Sequence, residues 1–228
     1  MQPNGVSIQK TVQAAAEQAF GCSLKLTGCS RTDSGVHARS FYCTVEGERC
    51  GCLPTERVPE ILNHFLPDDI AVRSARVVDD SFHPRYSAAG KEYHYLILDS
   101  RIRDPFLEGR VYRSAGNFDT TYMDYAAEQF VGRHDFAAFM AAGSSVTDTV
   151  RTVSMCRVKR EGELITIAIA ADGFLYNMVR IIVGTLIDFS CERINFPISE
   201  IIASRDRTKA GFTAPPEGLY LWDVFYNM

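Results

Sequence analysis

Residues 29–38 read Cys-Ser-Arg-Thr-Asp-Ser-Gly-Val-His-Ala, which sets the Asp33 carboxylate two positions after Arg31 and two before Gly35. A carboxylate presented this way can act as a nucleophile or take a proton, provided a cation keeps it ionised and aimed. Arg31 supplies the cation, and Gly35 allows a sharp turn without a Cβ clash. The same residue types build an ordinary Asx turn, and Asp-Ser-Gly alone does not separate the two readings. A second candidate is Lys91-Glu92-Tyr93-His94-Tyr95. Tyr93 offers an aromatic face for stacking and a hydroxyl that can relay a proton, or it is one of two tyrosines on one face of a half-buried strand. The third is Arg180, a lone cation in the apolar run Phe174-Leu175-Tyr176-Asn177-Met178-Val179-Arg180-Ile181-Ile182-Val183-Gly184. A guanidinium there requires an anionic partner, either a core carboxylate or a group at a site.

The elements that must hold these residues follow from hydrophobic period. Three- and four-residue spacing predicts helices over Val6–Phe20, 57–66, Thr120–Val131, Phe174–Phe189 and Ser199–Ser204. In the second of these, Val58, Ile61, Leu62 and Phe65 point inward. Alternation and β-branched content predict strands at Leu24–Leu26, Arg39–Val45, Ile70–Val78, Ala89–Leu98, 110–113, Thr152–Lys159, Leu164–Ala171 and Leu219–Tyr226. Phe41, Cys43 and Val45 share one face of the Arg39–Val45 strand. The first half then reads helix-strand-strand-helix-strand, a split βαβ unit without its first strand. The expected fold class is α+β: two split βαβ (ferredoxin/RRM-like) halves sharing one extended, mostly antiparallel sheet with helices on one side. Residues 1–80 form the half with the Asp33 loop, and 81–228 form the other.

The 228 residues are 46% hydrophobic, enough for a sizeable core, yet no run reaches the roughly 20 apolar residues of a membrane span. Met1-Gln2-Pro3-Asn4-Gly5 lacks the basic and apolar sections of a secretory signal, so a soluble, cytoplasmic protein is expected. Seven scattered cysteines, an odd number, fit reduced thiols better than a disulfide framework. Cys50-Gly51-Cys52 has no second Cys or His pair at ligand spacing, and the five histidines are scattered. No metal is therefore expected, which disfavours a metal-dependent hydrolase. The net charge of −4 is unevenly spread: residues 1–45, 81–113 and 151–180 are each +2, whereas 46–80 and 114–150 are each −4. Positive charge thus gathers in the segments that hold the unusual motifs. If they meet, they form a basic face on an acidic body, suited to nucleic acid.

Arg31-Thr32-Asp33-Ser34-Gly35-Val36-His37 resembles the signature loop of the TruA family of tRNA pseudouridine synthases, Gly-Arg-Thr-Asp-Ala/Ser-Gly-Val-His, with Ser30 in place of the usual Gly. Lys91–Tyr95 is similar to the family's Arg/Lys-x-Tyr-x-Tyr strand, and Phe174–Gly184 to its Phe-x-x-x-Met-Val-Arg-x-x-Val-Gly helix. Gly132-Arg133-His134-Asp135-Phe136 resembles a Gly-x-His-Asp-Phe turn, read as mostly structural. Ser204–Gly211 resembles an Arg-Asp-Arg segment, and Glu217-Gly218-Leu219-Tyr220-Leu221 the closing Glu-Gly-Leu-Tyr-Leu. Six motifs in the family's order carry more weight than any one of them.

The resemblance implies an isomerase that turns uridine into pseudouridine on the 3′ side of the tRNA anticodon stem-loop, without a cofactor. It implies Asp33 as the catalytic carboxylate and Arg180 as its partner in a buried pair. Arg31 would help displace the base, and Tyr93 and Leu219 would line the pocket for the flipped uracil. Arg205 and Arg207 are expected to contact phosphates, as are Arg101, Arg103, Arg110 and Arg113. It also implies a homodimer whose tRNA spans both subunits. The family's first strand and Tyr-Asp-Gly-x-x-Phe-x-Gly-Trp-Gln segment precede the point matched by Gln2. The chain as written is therefore expected to be poorly stable and to gain from restoring that strand. The alternative is a non-catalytic RNA-binding protein that lost activity with the strand.

Overall fold

The computed structural model describes residues 7–227. The chain divides into two compact units, one of Met1–Arg31 with Tyr42–Ala88 and the other of Thr32–Phe41 with Ala89–Met228. The Asp33 segment, grouped by sequence order with residues 1–80, therefore belongs to the second unit. The chain leaves the first unit at 31, builds the loop, and returns at 42.

In the first unit, helix α1 (Ile8–Phe20) is capped by Ser7, whose hydroxyl accepts from Lys10 N at 3.3 Å, and ends at Gly21. The expected start at Val6 lies outside the described residues. Strands β1 (Lys25–Gly28) and β3 (Cys43–Glu46) form an antiparallel pair, and α2 (Val58–Phe65) completes the unit. Its core gathers Ala16, Phe20, Leu24, Val58 and Leu62. Phe65, expected inward, is exposed. The strand expected at 70–78 does not form. The Asn63 side chain takes both the N–H (2.7 Å) and the carbonyl (2.9 Å) of Val72, so a side chain rather than a neighbouring strand satisfies that backbone. Val72 and Ala75 are half-buried against the core while Val77 is 86% exposed, so burial there follows a three-residue spacing rather than a strand's alternation.

The second unit is built on a mixed seven-stranded sheet. Its strands are β2 (His37–Ala38), β4 (Ala88–Asp99), β5 (Tyr112–Ser114), β6 (Gly132–Asp135), β7 (Val150–Glu161), β8 (Leu164–Ala171) and β9 (Leu219–Tyr226). They run in the order β2-β9-β4-β8-β7-β6, with β5 parallel to the end of β4. The α+β class holds: β1 and β3 form a separate two-stranded sheet, while β2, from the first half of the sequence, joins the large sheet by pairing with β9 of the second half. Of the strand expected over 39–45 only 43–45 form, as part of β3, because residues 39–42 carry the chain between units.

Alternation on β4 sends Tyr93, Tyr95 and Ile97 to the buried face, where they meet Ile165, Ile167 and Ile169 of β8 in register. Helices α3 (Thr120–Glu128), α4 (Met178–Ser190) and α5 (Ile198–Ser204) complete the unit. Helix α4 is apolar around nearly its whole circumference and correspondingly buried. It starts four residues later than its hydrophobic pattern suggested, because Asn177 takes a left-handed conformation (φ 59°). The Gly132–Asp135 segment, expected as a turn, is a strand paired with β7. No described helix is long and apolar enough to cross a membrane.

Candidate active site around the Asp33 loop

The second unit alone provides a connected set of groups around Asp33. The loop leads into β2, whose two residues pair in parallel with Tyr220 and Leu221 of β9, and Arg39 N donates to Leu221 O at 2.8 Å. Val36 N closes the turn onto Asp33 O at 3.1 Å. Gly35 turns the chain at φ +83°, a region L side chains rarely adopt, and a Cβ there would meet Pro216 at 3.1 Å. The carboxylate is thus anchored by strand pairing on one side and by the 215–218 turn on the other.

Arg180, on the first turn of α4, reaches Asp33 Oδ2 with Nη1 at 3.1 Å. The same nitrogen donates to Asn177 Oδ1 at 3.0 Å, and Nε donates to Ala214 O at 2.6 Å. Ala214 N in turn donates to Arg180 O. Of the two readings of a cation in an apolar helix, the structure gives the pairing with the loop carboxylate. It is less enclosed than expected: the Arg180 side chain is 15% exposed and Asp33 41%. Desolvation therefore falls on the guanidinium, which three acceptors compensate, while the carboxylate stays accessible to an incoming group.

Tyr93 is buried on β4 with Phe174 edge-on at 5.0 Å. Leu219, also buried, opens β9, the strand beside β4. Behind them the Tyr95 hydroxyl donates to Pro215 O at 2.8 Å, and burial raises its ionisation far above the usual phenol range, so it stays a neutral donor. A Cβ on Gly218 would lie 2.7 Å from the Tyr95 ring, so the turn before Leu219 packs directly on it.

Residues 207–214 strap across α4. Arg207 Nη1 donates to Gly211 O (2.8 Å) and Ala210 O (3.3 Å), and its Nη2 to Thr213 Oγ1 (3.2 Å). Gly211 N donates to Thr185 Oγ1 at 2.9 Å. Backbone meets backbone here: a Cβ on Gly184 would fall inside the Phe212 carbonyl, and one on Gly211 would lie 2.6 Å from Gly184 O. Arg207, expected on phosphate, instead ties down the strap that delivers Ala214 to Arg180. Arg205, expected there too, pairs with Asp135 at 2.9 Å. Sequence reasoning missed Asn177 and the strap. A polar residue before a helix and a lone glycine within it were the available signals.

Arg31 is exposed and belongs to the first unit, and among the described residues it forms no ion pair. Arg101, Arg103, Arg110 and Arg113 are exposed on the second unit. His134 Nε2 lies 3.1 Å from Val131 O, a local backbone contact. All seven cysteines are free thiols. Among the described residues no group of three His, Cys, Asp or Glu could hold a metal ion.

The Thr149 hydroxyl (2.5 Å), the Ala137 N–H (3.1 Å) and Arg205 hold the Asp135 carboxyl below its ordinary range, against the opposing effect of burial. A depressed folded value stabilises the fold above the unfolded carboxyl's titration and loses that contribution as acid protonates the folded group. Asp135→Asn should therefore cost about 1–2 kcal/mol at pH 7. The gap to the parent protein should narrow below about pH 4. Urea denaturation of both proteins at the two pH values checks this, and a gap independent of pH refutes it.

A family model described as tRNA pseudouridine synthase matches residues 126–227. The tRNA pseudouridine synthase A proteins of Thermoanaerobacter sp. (strain X514) and Acetivibrio thermocellus are 44% and 43% identical over 226 and 229 residues. Each alignment covers 99% of this chain and 92% of the relative. The tRNA pseudouridine synthase A 2 of Clostridium tetani is 39% identical over 97% of this chain and 89% of its own. Among solved structures, a chain of a Cbf5-Nop10-Gar1 complex is similar with TM-score 0.42 and 12% identity, covering 100% of this chain and 48% of that one.

Proposed function

The chain belongs to the tRNA pseudouridine synthase A family, and from that premise we propose that it isomerises uridine to pseudouridine on the 3′ side of the tRNA anticodon stem-loop, with Asp33 as the catalytic carboxylate. The reaction breaks the C1′–N1 bond, turns the uracil, joins C1′ to C5, and moves the C5 proton out as N1 regains one. A carboxylate suits it because it can attack C1′ or take the sugar's 2′ proton and then leave. Arg180 holds Asp33 in place through Nη1, and its Nε and second Nη1 donor, engaged with Ala214 and Asn177, fix the guanidinium for that role. Tyr93 and Leu219 form the pocket for the flipped base, and the Tyr93 hydroxyl relays the C5 proton. Arg31 helps displace the base. The enzyme works in the cytoplasm as a homodimer, with tRNA spanning both subunits and Arg101 and Arg103 on its backbone.

The observation that carries this reading is the Asp33–Arg180 pair. Two motifs 147 residues apart meet through their charged groups, on a carboxylate left open to solvent. The test is turnover on an unmodified tRNA transcript in the presence of a chelator. Pseudouridine should form in the anticodon stem-loop with no metal or cofactor added. A well-folded protein that forms none would refute the proposal.

A further inference from the structure

After β4 the chain enters a loop, Arg101–Arg110, whose composition the reaction at Asp33 does not explain. Asp104 Oδ1 accepts from Phe106 N at 2.9 Å and caps a short 3-10 turn, Pro105–Leu107, in which Pro105 presets the backbone. The turn lifts Phe106 into solvent at 88% exposure, and Ile102 stands out at 78%. Around them Arg101, Arg103, Arg110 and Arg113 have no carboxylate partner among the described residues. Singly exposed apolar residues are common, but an aromatic ring set among unpaired guanidinium groups is a specific combination.

The loop is also held in position. His37 Nε2 lies 2.9 Å from Gly109 O, and the Tyr220 hydroxyl donates to Arg110 O at 2.6 Å. The two rings stack at 4.7 Å. His37 follows Asp33 by four residues and Tyr220 follows Leu219, so the segments that build the candidate site also tether this loop.

We propose that the loop is an RNA-docking surface, in which Phe106 stacks on an unpaired tRNA base while Arg101 and Arg103 hold the neighbouring phosphates. The proposal rests on the tRNA reading above. Stacking needs only a planar ring face and tolerates any base, and the arginines supply what a phosphate backbone requires. A second copy of the chain fits less well. Across a two-fold axis the loop would set its own unpaired cations against themselves, and protein interface cores are depleted in charge.

The experiment measures tRNA binding across a salt series for the parent protein, Phe106→Ala, Phe106→Trp and Arg103→Gln, with sedimentation of each. Phe106→Ala should bind tRNA roughly 5- to 150-fold more weakly, the effect of losing one base–aromatic stack, with an unchanged salt slope. Phe106→Trp should bind like the parent, and Arg103→Gln should lower the salt slope by about one. All these side chains are exposed, so melting temperatures should agree and exclude a folding defect. Phe106→Ala binding tRNA within about twofold of the parent overturns the proposal. So does its conversion from dimer to monomer, which would assign the loop to a second copy. If the parent binds tRNA through Phe106 but forms no pseudouridine, the catalytic reading fails and the docking surface stands.

Discussion

Asp33→Ala should lower pseudouridine formation at least about 10⁴-fold, because no other carboxylate of the site can take over its covalent or basic role. Binding of tRNA should persist, since removing a negative charge beside a basic surface does not weaken phosphate contacts. The fold should also persist. Asp33 is 41% exposed, and Arg180 keeps Asn177 and Ala214 as acceptors, so stability should change by no more than about 1 kcal/mol. Asp33→Asn preserves the shape and the Arg180 contact while removing the charge, and should be as inactive as the alanine variant. The measurements are turnover on the tRNA transcript, tRNA affinity and a thermal melt. Turnover in either variant within about tenfold of the parent would remove Asp33 from the chemistry. A parent protein that binds tRNA without turning it over, and is indifferent to the substitution, would be the non-catalytic RNA binder.

Gly184→Ala should damage stability and turnover together. Any Cβ there occupies the place of the Phe212 carbonyl, so either α4 or the strap must move. Neither is free to do so: Gly211 is bonded to Thr185, and Arg207 binds the strap at three acceptors. Overpacking against backbone should cost about 3 kcal/mol. For a chain of this length that lowers Tm by roughly 6–12 °C. The displacement passes to Ala214, which holds the Arg180 guanidinium, and a shift of about 1 Å there should lower turnover about 100-fold even well below Tm. Differential scanning calorimetry and turnover at 25 °C check both parts. A variant that melts within 2 °C of the parent, at about 0.5 kcal/mol, would mean that the strap is looser than its hydrogen bonds indicate.

What could be read from the residues follows from where a buried face existed. β4, β8 and β9 alternate because one face of each packs in the core, and their predicted bounds lie close to the observed ones. Residues 70–78 alternate as well, but Val72 and Ala75 pack on the core without a strand partner, and Asn63 satisfies the Val72 backbone. The expectation of a turn at Gly132–Asp135 rests on the family resemblance alone; the backbone there instead pairs with β7. At the site, Arg180 was legible because a cation in an apolar helix must have a partner, and the loop carboxylate is that partner. The intramolecular partners of Arg205 and Arg207 were not legible, for the opposite reason. A positive charge in a polar segment has many possible partners, and only the tertiary structure shows that Asp135 and the 210–213 carbonyls take them. Phe106 carried no signal at all, since an aromatic residue in sequence is presumed to be core.

The loan of residues 32–41 from one unit to the other sets a timetable for synthesis. β2 has no partner until residues 220–221 exist, and Ala214 must be in place before Arg180 is fully held. Asp33 emerges from the ribosome early, yet the strand that anchors its loop is made more than 180 residues later. Until then the ten residues 32–41 lack the β9 strand and the fully held Arg180 guanidinium that fix them in the folded protein. The fully held Asp33–Arg180 pair therefore forms only once residues 214–221 are made.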